Sequence, residues 1–189
     1  MNEAVRLTEE KRACLINPII TSDVVVAFAQ CQRKAYFLLR SSDKGTPHEY
    51  VCILEQQRLE HRERYLHHLK QKHADAKPYT LESLRNGHEI LFSARLQSDG
   101  FTAECDVLTR VGEKAPGNTS LYEPTLCVET YSTSKEQKLV LSFAGYLLGR
   151  LQVKPPIAGR LIAMDGTAHA VNLDKSVHSL VPLLEPLRT

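Results

Sequence analysis

Residues 89–131, EILFSARLQSDGFTAECDVLTRVGEKAPGNTSLYEPTLCVETY, carry the pattern from which the fold is read. Segments 89–97 and 101–111 are rich in strand-forming residues and flank Ser98-Asp99-Gly100, a composition suited to a tight hairpin turn. The stretch GEKAPGNTS that follows is loop by its glycines, proline and small polar residues. Segment 121–131 predicts a third strand with Pro124 near its start or at an edge, because proline cannot donate to a ladder. The third strand is expected to pair with the second, giving an antiparallel meander.

Working outward, Ser134 with Gln137, or Thr133 with Glu136, makes a capping box before a run to Leu151 that is apolar on most sides, the pattern of a buried helix. Pro155-Pro156 ends it. Segments 158–164 and 167–173 then read as strands about an Asp165-Gly166 turn, and a short helix follows from about Lys175. On the other side of the meander, Thr21-Ser22-Asp23 offers a helix start before Phe28, Cys31, Ala35 and Leu38, predicting one helix to about Arg40. A loop over 41–47 precedes a second helix over 49–72, on which Leu54, His61, Tyr65 and His68 form a stripe, so His61 is expected to face inward. Helix, helix, three strands, helix, two strands, helix is an α/β sandwich rather than a doubly wound fold. The chain has no glycine-rich loop of the Rossmann or P-loop form, which argues against those modes of nucleotide binding.

The chain has 189 residues, 42% of them hydrophobic and 24% charged, as one globular domain would. With 24 basic and 22 acidic side chains the net charge is +2, so any binding of a polyanion must come from a local patch. Cys14, Cys31, Cys52, Cys105 and Cys127 are odd in number and include no CxxC pair, and are read as reduced core thiols. Charges stand where a signal peptide needs an apolar run, and no stretch suggests a membrane span, so a soluble, cytoplasmic protein with no membrane partner is expected.

Three segments carry a resemblance. QCQRKAYFLL in the first helix, EQQRLEHRERYLHHL in the second, and AECDVLTR followed by YEPTLCVETYSTSKEQKLVLSFAGYLL resemble, in order, the motifs of RecB-type nucleases of the PD-(D/E)xK superfamily. The resemblance covers roughly residues 21–173 and divides the chain into an N-terminal extension (1–20) and a RecB-like domain (21–189). It implies an α/β, restriction-endonuclease-like core: the three-strand meander, a crossover helix and further strands. It also implies hydrolysis of DNA phosphodiester bonds with Mg²⁺ or Mn²⁺, within a larger DNA-processing or defence assembly alongside a helicase or other nucleic-acid-processing protein. In that family a helix-borne histidine, an aspartate on the second core strand and an acidic-x-Lys motif on the third surround the metal. By position the histidine is His61 and the aspartate Asp106.

The residue chemistry agrees with that use. Phosphodiester hydrolysis needs hard oxygen ligands for a cation that polarises the phosphate and generates hydroxide. Asp106 sits mid-strand among apolar neighbours, where a carboxylate must be neutralised, hydrogen-bonded or metal-bound. The third-strand acid is Glu123 or Glu129, both on one face of a regular strand, with Glu123 preferred as the residue placed to oppose Asp106. Two places beyond them stand Thr125 and Tyr131 instead of lysine, so the cation at the nucleophile falls to Lys135 or Lys138 of the next helix, or the site is degenerate. Arg33, Lys34, Arg62 and Tyr146, with Arg58 and Arg64, are candidate DNA contacts. Tyr146 matches the tyrosine of the family's glutamine-x3-tyrosine signature, though Ser142 replaces the glutamine. Some RecB-type nucleases hold an iron–sulfur cluster on four cysteines, one resembling Cys31; no cysteine follows Cys127, so no cluster is expected. The competing expectation is a catalytically inactive RecB-like module that binds DNA or a protein partner.

Overall fold

A computed structural model describes residues 19–41, 45–113, 120–152 and 154–188. A two-residue strand β1 (Ile20–Thr21) leads into helices α1 (Ser22–Gln30) and α2 (Gln32–Arg40), then the long helix α3 (Glu49–Lys72). A short strand β2 (Ala76–Pro78) and one-turn helix α4 (Leu81–Arg85) precede the meander β3 (Ile90–Ser98), β4 (Phe101–Val111) and β5 (Leu121–Cys127). Helix α5 (Lys135–Leu151) crosses to β6 (Ala158–Ile162) and β7 (Ala168–Asn172), and α6 (Leu173–Leu184) with a 3-10 turn (Glu185–Leu187) follows.

The sheet order is β2-β3-β4-β5-β6-β7, with β1 paired to β4. The meander is antiparallel, β5 and β6 are parallel across the α5 crossover, and β7 returns antiparallel. The hairpin turn is tight because Asp99 (φ 50°) and Gly100 (φ 79°) both take the left-handed region, as a two-residue turn of the primed type requires. The capping box before α5 belongs to Ser134 and Gln137, each accepting from the other's backbone N–H.

Helices α1, α5 and α6 cover one face of the sheet. There Leu91, Leu96, Phe101 and Tyr122 pack with Val25 of α1, Phe143 and Leu147 of α5, and Leu180 of α6. The other face is covered by α3 alone among the described helices, through Leu66, Tyr65 and Leu69 on Ile90, Phe92 and Val107. The domain is thus a mixed α/β sandwich, with α3 lying apart from the main core.

Several expectations are corrected. The first helix is two: Cys31 is extended (φ −162°, ψ 112°), its N–H closes α1 onto the Ala27 carbonyl, and α2 starts afresh at Gln32. The third strand ends at Cys127, four residues short of Tyr131, and α6 begins at Leu173, ahead of Lys175. Ile20 is buried in the fold rather than part of an extension, whereas residues 1–18 lie outside the described residues. Cys105 and Cys127 are core thiols, but Cys31 and Cys52 are exposed, and Cys14 lies outside the described residues. His68 is exposed; the inward stripe of α3 runs through Arg58, His61, Arg62, Tyr65, Leu66 and Leu69.

Candidate functional site

Regular strands keep one set of side chains on each face, and β3 and β4 break that rule together. Before the break, Ile90 and Phe92 face α3; after it, Ala94 and Leu96 face α5. On β4, Cys105 faces α5 while Val107, two residues on, faces α3. Ser93 and Asp106 fall between the paired positions Phe92↔Val107 and Ala94↔Cys105, and Ser93 takes a left-handed backbone (φ 56°). This paired irregularity, of the kind that re-aims side chains next to functional sites, turns both polar residues toward α3.

Arg62 of α3 meets them there. Its Nε donates to Asp106 Oδ1 (2.5 Å) and its Nη2 to Ser93 Oγ (2.7 Å). The second carboxylate oxygen is also taken: Oδ2 accepts the backbone N–H of Cys127 (2.7 Å). Pairing of β5 with β4 ends at Thr125↔Val107, and just beyond it the Asp106 side chain supplies the acceptor for Cys127. Asp106 is 6% exposed and the Arg62 side chain 23%, so the pair is screened from water on the Asp106 side.

His61 is 6% exposed and points inward as expected, but its Nε2 lies 3.3 Å from the carbonyl of Ile162. A carbonyl only accepts, so in this hydrogen bond Nε2 is the donor, and Nδ1 is the ring nitrogen left with a lone pair. The same carbonyl accepts the Val128 N–H (2.9 Å), which fixes the end of β6 under α3.

Other predicted residues go elsewhere. Glu123 opposes Thr109 rather than Asp106 and pairs with Arg160 (3.6 Å). Glu129 lies past the end of β5, where Oε1 accepts from Gln137 Nε2 (3.1 Å). Lys135 and Lys138 are exposed on the first turns of α5. Ser142 donates to the Lys138 carbonyl (2.7 Å). The Tyr146 hydroxyl accepts from Arg188 Nη2 (2.5 Å). Arg33 and Lys34 are exposed on α2.

Sequence reading missed Cys127 as the third-strand residue that meets Asp106, and two places further stands Glu129. An acidic-x-Lys motif in that register would here read Cys127-Val128-Glu129. Burial first, and then the Asp106 charge, push the Cys127 thiol far above its ordinary range, so it stays protonated. Burial likewise pushes Cys105 up to about 12. Arg58, held by Glu55 (2.7 Å), is pushed further above the arginine range, chiefly by that bond and in smaller part by Asp106 and Glu129.

Mg²⁺ and Mn²⁺ seek several oxygen ligands. What this node offers is one carboxylate already shared between a guanidinium and an N–H, a single imidazole nitrogen, and a protonated thiol, with no unshared oxygen among them. That donor set does not fit such an ion. Among the described residues no group of three or more His, Cys, Asp or Glu side chains is arranged to hold a metal. No protein-family model matches the chain, and no curated protein is similar to it. Among the described residues, no helix is long and apolar enough to cross a membrane.

Proposed function

We propose that this chain is a catalytically silent RecB-like module that binds nucleic acid without hydrolysing it. The observation that carries this reading is the double engagement of Asp106, with Arg62 on one oxygen and the Cys127 N–H on the other. In this reading the guanidinium stands where the resemblance places a divalent cation, and neutralises the carboxylate in its stead. The order of meander, crossover helix and parallel strand is compatible with the RecB-type layout.

One observation favours the rival, a Mg²⁺- or Mn²⁺-dependent deoxyribonuclease. Arg62 retains an outlet to solvent, its side chain being 23% exposed, so a cation could displace it from Asp106. A partner protein, a helicase or other nucleic-acid-processing enzyme, fits either reading: the N-terminal half of α3 exposes Tyr50, Val51, Ile53 and Leu59.

The test is incubation of the chain with single- and double-stranded DNA in Mg²⁺, in Mn²⁺ and in EDTA, with binding followed in parallel. Binding in the micromolar range, the scale of non-specific contacts, without cleavage in any metal is the expected result. Cleavage that appears with Mn²⁺ and disappears in Asp106→Ala overturns the reading in favour of the nuclease.

A further inference from the structure

Helix α2 is amphipathic in an inverted sense. Its inward side carries Ala35, Leu38 and Leu39, packed on the main core. Its outward side carries Arg33, Tyr36, Phe37 and Arg40, at spacing i, i+3, i+4, i+7, which puts them on one stripe. Helical spacing of this kind normally marks residues that are buried. Here Tyr36 is 61% and Phe37 51% exposed. The two rings meet edge to face, with centroids 6.0 Å apart and planes at 73°, and the Arg33 guanidinium lies over the Phe37 ring at 5.7 Å. Lys34 adds a further cation, and no acidic residue occurs on α2.

The composition of this face selects among partners. Protein interfaces are enriched in aromatic residues and arginine but depleted of lysine and of acidic residues, and the exposed half of α3 mixes both signs of charge, with Tyr50 and Ile53 among Glu49, Glu55 and Arg58. The α2 stripe instead joins flat rings to cations of one sign. Rings offer stacking surface to any base, while cations track the phosphates, and together they suit an unpaired strand, whose bases are free to stack. A duplex has its bases stacked inside and can use only the charge.

We propose that α2 is a stacking platform for single-stranded nucleic acid, with Tyr36 and Phe37 receiving bases and Arg33, Lys34 and Arg40 holding the backbone. This rests on the reading of the chain as a nucleic-acid-binding module and gives it a substrate class and a contact surface away from the Asp106 node.

The experiment uses the full chain, in EDTA so that no strand is cut, with a fluorescein-labelled oligothymidylate of about 16 nucleotides as probe. Anisotropy should report micromolar binding, at least about tenfold weaker in Tyr36→Ala/Phe37→Ala, a loss in line with removal of stacked bases. Both positions are exposed, and circular dichroism checks that the variant is folded. The sequence contains no tryptophan, so Phe37→Trp supplies a single reporter. Its fluorescence should be quenched by oligothymidylate and not by polyphosphate, which has charge but no bases. Equal affinity of the double variant and the native chain, or equal quenching by polyphosphate, overturns the platform while leaving a nucleic-acid-binding module in place. No binding of any DNA by the native chain overturns both. Self-association that Tyr36→Ala/Phe37→Ala abolishes, with oligothymidylate affinity unchanged, would make this face a protein interface and overturn the platform.

Discussion

Asp106 was legible in the sequence as a carboxylate that could not be left alone mid-strand, but its partner was not. Arg62 lies 44 residues away, and nothing local distinguishes it from Arg58 or Arg64 on the same helix. Only the shared break in β3 and β4 decides which arginine reaches. The pair makes a testable order of stability. Asp106→Asn keeps an oxygen to accept the Cys127 N–H and loses the charge pairing; Asp106→Ala loses both and strands the Arg62 guanidinium. Chemical denaturation should rank native above Asn above Ala. Arg62→Ala leaves a buried carboxylate with a single N–H, and should cost toward the lower end of about 3–5 kcal/mol, because Arg62 itself is partly solvated. If Asp106→Ala is as stable as the native chain, or more stable, the carboxylate is held at a net cost, which is the signature of a site kept for chemistry.

At the level of elements, those signalled by turn chemistry or long periodicity were legible: the Asp99-Gly100 hairpin, helix α3 from Glu49 to Lys72, and the capped helix α5. Elements held by tertiary contact alone were not. Strands β1 and β2 have two and three residues, too few to show alternation, and exist because their backbones pair with β4 and β3. The end of β5 was overrun because Val128 and Glu129 continue the alternation, while the chain in fact turns toward α5 to reach its cap. Ser134→Ala should cost about 1 kcal/mol, read from the thermal midpoint. The buried heart of the meander also fixes a pH dependence. Burial raises Cys105 from 9.0 to about 12 and Tyr122 from 10.0 to about 12, and raises Cys127 as well. Each group therefore binds its proton more tightly folded than unfolded. Their effect on stability is absent below pH 9, where both states are protonated, and stability falls as pH rises from about 9 toward 12. Denaturation midpoints measured from pH 8 to pH 10.5 should decline, and Cys127→Ala should flatten the slope; a flat profile in the native chain contradicts the burial of these groups.

For the molecule as a whole, the net charge of +2 conceals an uneven distribution, and so does the even length of α3. At about 1.5 Å per residue its 24 residues span about 36 Å, yet its buried residues are His61 and Leu66, both in the C-terminal half. From His61 onward it is fastened by the bond of His61 to the Ile162 carbonyl, by Asp106 and Ser93 on Arg62, by Leu66 on Val107, and by Lys70 over the Phe92 ring (4.3 Å). From Glu49 to Leu59 the apolar side chains Tyr50, Val51, Ile53 and Leu59 are exposed and Leu54 is half-buried. An unsupported helix shorter than about 12 residues is marginal in water, so this half depends on continuity with the fastened half. Amide hydrogens over 51–59 should exchange at least about a hundredfold faster than those over 65–70, a difference that mass spectrometry of exchanged peptides resolves. Arg62→Ala should move the boundary toward the C-terminus, because it removes one of the two fastenings, Arg62 and its neighbour His61, that stand first along the helix. Protection of 51–59 equal to that of 65–70 would contradict this account if it holds at every protein concentration. Protection that grows with concentration would instead mean that the exposed half of α3 is covered by a second copy.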